Sequence, residues 1–142
     1  MPARGAAEWK GELRSGSGTF TAGDGSIGGD YSYRTRFEDA PGANPEQLIA
    51  AAHASCFSMA LAAGLGGAGT PADSVKTDAV VWLRPVDGVP TITKIELTTV
   101  GSVPGIDQAA FQAAAEDAKR NCPVSRALAG VSEVTLDATL AS

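Results

Sequence analysis

The sequence predicts an α+β fold in which antiparallel sheets pack around two main helices. Three observations support this prediction: short extended segments fill the first 37 residues, helical patterns follow at 44–65 and 107–121, and strand patterns separate and follow those helices. A chain of 142 residues with 44% hydrophobic content has the usual size of one domain. We therefore expect a single domain over residues 1–142.

The N-terminal segment is predicted to form a small antiparallel meander. Its extended pieces are AEWKGEL, GSGTFTAG and GSIGGDYSYRTRF, which run to Phe37 and are bounded by Gly-Ser and Asp-Gly turn signals. The sequence EDAPGA then closes the meander as a loop.

The first helix is predicted to begin at Asn44 and to end at about Leu65. Asn44 is a good N-cap, Pro45 suits the first helical position, and Gln47 has the spacing of a capping box. The residues that follow are small and apolar on nearly every face, which is typical of a helix packed on all sides. Polar residues interrupt the run, so a buried helix is favoured over a membrane span, which needs about 20 strongly apolar residues.

The second half of the chain is predicted to form a hairpin, a helix and a final strand. Two strands joined near residues 86–90 alternate with a period of two, which places Ile95 and Leu97 on one face. The second helix is capped by Asp107 and ends near Asn121. Pro123 then opens a short helical turn, and VSEVTLDATLA forms the last strand.

Charge and composition exclude several classes of function. The net charge is −5 and no basic cluster is longer than two residues, which argues against a nucleic-acid surface. With one histidine and no CxxC motif, the sequence has no credible metal site. The first residues lack the apolar region of a secretory signal, so we expect a cytoplasmic protein.

Cys56 lies about twelve residues into the first predicted helix. A thiol becomes a good nucleophile when it ionises, and at this position the helix dipole cannot help it. Its activation needs a side chain, for which Arg34 and Arg36 are the nearest candidates in sequence. Without such a partner, Cys56 is a small hydrophobic residue among alanines.

Cys122 occupies a different kind of position, immediately before Pro123. The residue before a proline is disfavoured in helical conformation, so this thiol is expected in a turn at a new helix start. Unsatisfied N–H groups there favour a thiolate, while a buried turn cysteine is an equally good interpretation. In a reducing compartment, two thiols this far apart are either inert or redox-active.

Four motifs, TRFED, GANPEQLIAAAHASCFSMAL, VPGID and NCPVSRAL, resemble the osmotically inducible protein C (OsmC) family, relatives of the organic hydroperoxide resistance (Ohr) proteins. The resemblance covers nearly the whole chain. It implies a thiol-dependent peroxidase that reduces organic hydroperoxides, and more weakly hydrogen peroxide, in oxidative and osmotic stress. It also implies an intertwined homodimer, a dithiol reductant such as a lipoyl protein, and no cofactor.

The resemblance also implies roles for four residues. Cys56 corresponds to the peroxidatic thiol, Cys122 to the resolving thiol, Glu46 to the glutamate of NPEQL, and Arg36 to the arginine of TRFE. Attack of the Cys56 thiolate on a hydroperoxide would release an alcohol and leave a sulfenic acid. Cys122 would condense with that acid to a disulfide, which an external dithiol reopens.

Arg36 is one of three arginines that could serve in this motif. In the organic hydroperoxide resistance branch the arginine comes from an earlier segment, so Arg14 or Arg34 competes with Arg36, although AAHASCFSMAL and VPGID favour Arg36.

Ten residues on one straight helix span about 15 Å, so Glu46 and Cys56 cannot touch within it. If Arg36 and Glu46 act on the thiolate, a second chain could bring them to Cys56, in agreement with the intertwined homodimer that the resemblance implies. We therefore expect two composite sites, each shared between the chains of a dimer.

Other interpretations remain open. His53 could act as a base beside Cys56, but a buried, hydrogen-bonded histidine is the simpler interpretation. Phe57, Met59 and Phe111 either line a pocket for an alkyl tail or belong to the core. The alternative functions are a non-enzymatic thiol sensor or apolar-ligand binder, and a hydrolase with Cys56 as acyl nucleophile. We expect no nucleic-acid or membrane partner.

Overall fold

The computed structural model describes residues 1–142 and contains six strands and four helices. The strands are β1 Gly5–Lys10, β2 Ser17–Ala22, β3 Ile27–Tyr31, β4 Ser74–Val86, β5 Val89–Ser102 and β6 Glu133–Leu140. The helices are α1 Tyr33–Phe37, α2 Pro45–Gly67, α3 Gln108–Asn121 and α4 Pro123–Ala127. This architecture confirms the α+β class.

Two compact units divide the chain, unit 1 over Met1–Leu48 and unit 2 over Ile49–Ser142. The division falls in the first turn of α2. The single domain over residues 1–142 stays a prediction.

Unit 1 contains the predicted meander, an antiparallel sheet in the order β1-β2-β3. The Trp9 and Tyr31 rings pack at a centroid distance of 5.5 Å on this sheet. The prediction of extended chain through Phe37 is wrong, because α1 begins after Ser32. The Ser32 and Thr35 side chains each accept a hydrogen bond from the other's backbone N–H, and this capping box starts the helix.

The start of α2 is confirmed at Pro45, since the Gln47 N–H donates to the Asn44 side-chain oxygen at 2.9 Å. The helix ends at Gly67, two residues beyond the predicted end. Its buried core residues recur every fourth position and form one stripe, namely His53, Phe57, Leu61 and Leu65. The expectation of a helix packed on all sides is therefore wrong for the single chain.

α2 is the one helix long and apolar enough to cross a membrane by length and composition, with a mean hydropathy of 1.7 in an 18-residue window. Only 22% of that window is buried within the chain. Core helices of globular proteins meet the same criteria, and the buried stripe of α2 lies in the hydrophobic core of unit 2.

The sheet of unit 2 has the order β4-β5-β6 and is mixed. β4 and β5 form the predicted antiparallel hairpin, joined by Asp87 and Gly88, whose φ values of 50° and 79° suit a type I′ turn. β6 pairs with β5 in parallel, so the prediction of purely antiparallel sheets is wrong at this position. The connection from β5 to β6 contains α3 and α4, and a long helical connection is what parallel pairing requires.

The second predicted helix is confirmed as α3. The Asp107 side chain accepts the Ala110 N–H at 2.9 Å, and the helix ends at Asn121. Cys122 then has extended backbone, with φ −61° and ψ 137°, as expected for a residue before proline. α4 starts at Pro123, so Cys122 lies between the ends of two helices.

Candidate active site

The two cysteines lie close together in unit 2, and both are free thiols. Cys56 comes from the middle of α2 and is partly buried against the hydrophobic core, while Cys122 is fully buried. The Cys122 side chain and the backbone N–H of Val124 both lie close enough to the Cys56 sulfur to change its pKa. α2 and the turn between α3 and α4 therefore bring together two thiols that are 66 residues apart in sequence.

Burial raises the pKa of the Cys56 thiol above its usual range, because a thiolate loses hydration in the core. A hydrogen bond from the Val124 N–H opposes this effect by lowering the pKa, while Cys122 raises it further. Within unit 2 no cationic side chain contributes to the shift. The unit by itself thus keeps Cys56 protonated at neutral pH.

Cys122 belongs to a chain of hydrogen bonds that ends at the only histidine. Its Sγ–H donates to the Ser125 hydroxyl at 3.0 Å, and the Ser125 N–H donates back to Sγ at 3.3 Å. The Ser125 hydroxyl is also 2.7 Å from His53 Nε2. Since Cys122 caps α4 and Ser125 is three residues later, the start of this helix places the hydroxyl beside the thiol.

His53 is fully buried, and its second ring nitrogen, Nδ1, has no hydrogen-bond partner. Burial lowers the pKa of His53 below its usual value of 6.5, because the imidazolium is poorly solvated in the core. The ring is therefore neutral at pH 7. The prediction of a buried, hydrogen-bonded histidine is confirmed.

Arg36 and Glu46 form a close ion pair in unit 1. Arg36 Nε donates to the two carboxylate oxygens at 3.1 and 3.3 Å, and Nη2 donates to Oε1 at 2.8 Å. Glu46 is only 7% exposed. The Asn44 side chain donates to the Thr35 carbonyl at 2.9 Å, which ties the start of α2 to α1 and places the two charges together.

The guanidinium of Arg36 keeps one nitrogen available, since Nε and Nη2 bind Glu46 and Nη1 makes no hydrogen bond. Beside it, unit 1 has a cavity of about 390 Å³. The cavity is lined mainly by large apolar and aromatic side chains, namely Trp9, Leu13, Tyr31, Tyr33 and Phe37, together with Arg36. A mainly apolar lining that includes one charged side chain suits a small organic ligand.

The two competing arginines have other partners. Arg34 forms an exposed ion pair with Glu38 at 3.5 Å, and the Arg14 guanidinium lies 4.7 Å from the centre of the Tyr33 ring. Among the three arginines, Arg36 alone bonds to the motif glutamate. This geometry favours the assignment of Arg36 over Arg14 and Arg34, while its chemical role stays a prediction.

The four candidate residues are thus brought together as two pairs, Arg36 with Glu46 in unit 1 and Cys56 with Cys122 in unit 2. Phe57 and Phe111 are fully buried core residues, whereas Met59 is 76% exposed. The core interpretation therefore holds for both phenylalanines.

Ser125 is the residue that sequence reasoning missed. It stands in the NCPVSRAL motif, three residues after Cys122 and two after Pro123. A residue before proline often caps the following helix, and the third helical residue is the usual partner of a cap. That spacing could have identified Ser125 as a neighbour of the thiol.

Comparisons with known proteins agree on one family. The family model described as OsmC-like protein matches residues 37–137. The chain is 46% identical to "Peroxiredoxin OsmC" of Escherichia coli over 140 residues, which cover 98% of this chain and 96% of that protein. It is 37% identical to "Organic hydroperoxide resistance protein" of Xanthomonas axonopodis over 97 residues, or 67% of this chain and 66% of that one.

Solved structures give the same fold. The crystal structure of an organic hydroperoxide resistance protein from Elizabethkingia anophelis matches with a TM-score of 0.74 and 23% identity, covering 99% of this chain and 96% of the other. At this identity the match shows the fold alone.

Proposed function

This chain belongs to the OsmC-like protein family, and we propose that it is a thiol-dependent peroxidase that reduces organic hydroperoxides to alcohols and, more weakly, acts on hydrogen peroxide. The observation that carries the proposal is the proximity of Cys56 and Cys122 in one unit. The names of the two curated relatives, a peroxiredoxin and an organic hydroperoxide resistance protein, support the same activity.

The proposed reaction has three steps. The Cys56 thiolate attacks the terminal oxygen of the hydroperoxide, the O–O bond breaks, and the alkoxide leaves as alcohol after it gains a proton. Cys122 then attacks the Cys56 sulfenic acid, which forms a disulfide and releases water. A dithiol, such as that of a lipoyl protein, reduces the disulfide by exchange.

A cation is needed for the first step, because the pKa of Cys56 is raised by burial and no cation in unit 2 opposes the shift. We assign that task to Arg36, held by Glu46, in a second copy of the chain. Much of α2 is apolar but exposed in the single chain, and such a surface favours burial in an intertwined homodimer.

The cavity beside Arg36 supports an organic hydroperoxide as substrate. Its aromatic lining would shelter an alkyl or aryl tail, while the free Nη1 of Arg36 could bind the peroxide oxygens. Hydrogen peroxide has no tail to bury and would gain nothing from this lining. We therefore expect kcat/KM to be higher for cumene hydroperoxide than for hydrogen peroxide.

Steady-state peroxide consumption with a lipoyl dithiol tests the proposal. Cys56→Ser should lower the rate by about 1000-fold or more, since the nucleophile is lost. Cys122→Ser should react once with cumene hydroperoxide and then be over-oxidised or trapped, because its Cys56 sulfenic acid cannot condense with a second thiol of the chain. Full activity of Cys56→Ser would refute the proposal.

The same assay distinguishes a peroxidase from the alternative of a thiol sensor. A sensor would react about once with peroxide and would not sustain the consumption of dithiol. The steady-state rates with the lipoyl dithiol and with thioredoxin identify the preferred reductant. The rates with tert-butyl hydroperoxide and with hydrogen peroxide identify the preferred substrate.

A further inference from the structure

The hydrogen bonds around Cys122 have a definite direction. A serine hydroxyl has one proton to donate. Because the Cys122 S–H donates to Ser125 Oγ, the Ser125 O–H is free to donate to His53 Nε2. The relay uses the neutral tautomer of His53 that accepts at Nε2 and carries its proton on Nδ1.

From this geometry we propose that Ser125 and His53 form a proton relay that deprotonates Cys122 when it attacks the oxidised Cys56. The inference rests on the proposed peroxidase function and concerns its second step. Ser125 touches the reacting sulfur, while His53 acts through Ser125 as a positioning residue and proton acceptor. The first step, oxidation of Cys56 by the hydroperoxide, does not use the relay.

Resolution replaces the S–O bond of the sulfenic acid with an S–S bond. The Cys122 sulfur bonds to the Cys56 sulfur as the S–O bond of the sulfenic acid breaks and hydroxide leaves. The thiol proton passes to Ser125 Oγ, and the Ser125 proton passes to His53 Nε2. The imidazolium then gives up its proton, and the departing oxygen becomes water. The Cys122 sulfur is oxidised and the Cys56 sulfur is reduced.

Two further features fit the relay. The Ser125 N–H donates to Cys122 Sγ, so it can stabilise negative charge that develops on this sulfur during attack. No carboxylate or cation is hydrogen-bonded to His53, and the only charged residue of α4, Arg126, is exposed. Besides His53 itself, the titratable groups along the relay are the thiols of Cys122 and, beyond it, Cys56.

A second chain of hydroxyl groups, which starts on α2, the helix that carries His53, offers a matched control. Ser58 of α2 donates to the Thr77 hydroxyl at 2.7 Å, which lies 3.0 Å from the Thr99 hydroxyl. Like Ser125, Ser58 is half-buried, but its hydrogen bond leads to the sheet and to no thiol. Ser58→Ala therefore removes a comparable hydrogen bond from unit 2 and should leave the resolution step unchanged.

The test is a single turnover of the reduced full-length protein with one equivalent of cumene hydroperoxide. Samples are quenched with dimedone, and intact mass separates Cys56 sulfenic acid from the Cys56–Cys122 disulfide. In Ser125→Ala and His53→Gln, Cys56 should be oxidised at the wild-type rate, while disulfide formation slows by at least about 10-fold. Ser125→Thr, which keeps the hydroxyl, should restore most of the rate.

The pH profile of disulfide formation separates a relay from a structural role. Burial lowers the pKa of His53, so in the wild type the resolution rate should level off above pH 6.5 and fall as His53 protonates at lower pH. In His53→Gln the levelling-off that His53 causes should be absent from the profile.

The outcomes are distinct. If Cys56 is not oxidised in the wild type, the proposed function fails and the relay fails with it. If Cys56 is oxidised but the disulfide forms at equal rates in wild type, Ser125→Ala and Ser58→Ala, the relay alone is wrong. Should His53→Gln fail to fold, the Ser125→Ala and Ser125→Thr pair decides, because the Ser125 side chain is only half-buried.

Discussion

At the scale of single residues, the Arg36–Glu46 pair combines a nearly buried carboxylate with a cation that is still accessible. Glu46 is 7% exposed, whereas the Arg36 side chain is 38% exposed. Burying a carboxylate is costly unless it keeps charged hydrogen-bond donors, and Arg36 supplies three such bonds. The pair therefore holds the arginine in a fixed orientation with Nη1 free.

Arg36→Ala should lower the free energy of unfolding by about 1–3 kcal/mol, because it leaves the Glu46 carboxylate without its donors. Urea denaturation measures the loss. Arg36→Ala/Glu46→Gln should recover part of it, since a neutral amide is less costly to bury.

Arg34→Ala is the matched control from the same helix. Its ion pair with Glu38 is exposed, so its removal should change the stability by less than about 0.5 kcal/mol. Equal losses for Arg34→Ala and Arg36→Ala would contradict a special role of the Glu46 pair.

At the scale of secondary-structure elements, one close approach shows how α3 packs on the sheet of unit 2. Phe111 of α3 is fully buried, and a Cβ added at Gly101 of β5 would overlap its ring. The missing side chain at Gly101 thus creates the space that the ring fills. α3 leads directly to Cys122, so this contact helps to position the turn that carries the thiol.

Gly101→Ala should therefore destabilise the protein by about 1–3 kcal/mol through overpacking. Adding Phe111→Leu should relieve part of the clash, so that the two changes are not additive in thermal or urea unfolding. The matched control is Gly130→Ala, where an added Cβ meets no atom within 4 Å. A loss at Gly130 as large as that at Gly101 would refute the packing argument.

At the scale of the whole molecule, the composite-site proposal makes a prediction about mixed dimers. Cys56→Ser and Arg36→Ala should each be inactive as homodimers. When they are unfolded and refolded together, half of the dimers contain both chains, and each mixed dimer has one intact site of two. The mixture should then recover about one quarter of the wild-type peroxidase activity.

Refolding the two variants separately and mixing them just before the assay controls for slow exchange. Activity close to zero in the co-refolded dimer would show that Arg36 and Cys56 act within one chain. A monomer in light scattering would remove the composite site altogether.

The sequence by itself determined the features that depend on neighbouring residues only, such as helix starts and tight turns. Asn44 and Asp107 fix the starts of α2 and α3 because a cap satisfies N–H groups within its own helix turn. The Asp-Gly turn joins β4 to β5 for an equally local reason. The cysteine motifs also identified the family, because long specific patterns retain their meaning without coordinates.

Only the tertiary structure decided which distant groups meet. The parallel pairing of β6, the single buried stripe of α2 and the contact between Cys56 and Cys122 depend on packing between segments far apart in sequence. So does the link from Ser125 to His53, which are 72 residues apart. Periodicity shows which face of an element is apolar, but the partner of that face is set by the packing of the whole core.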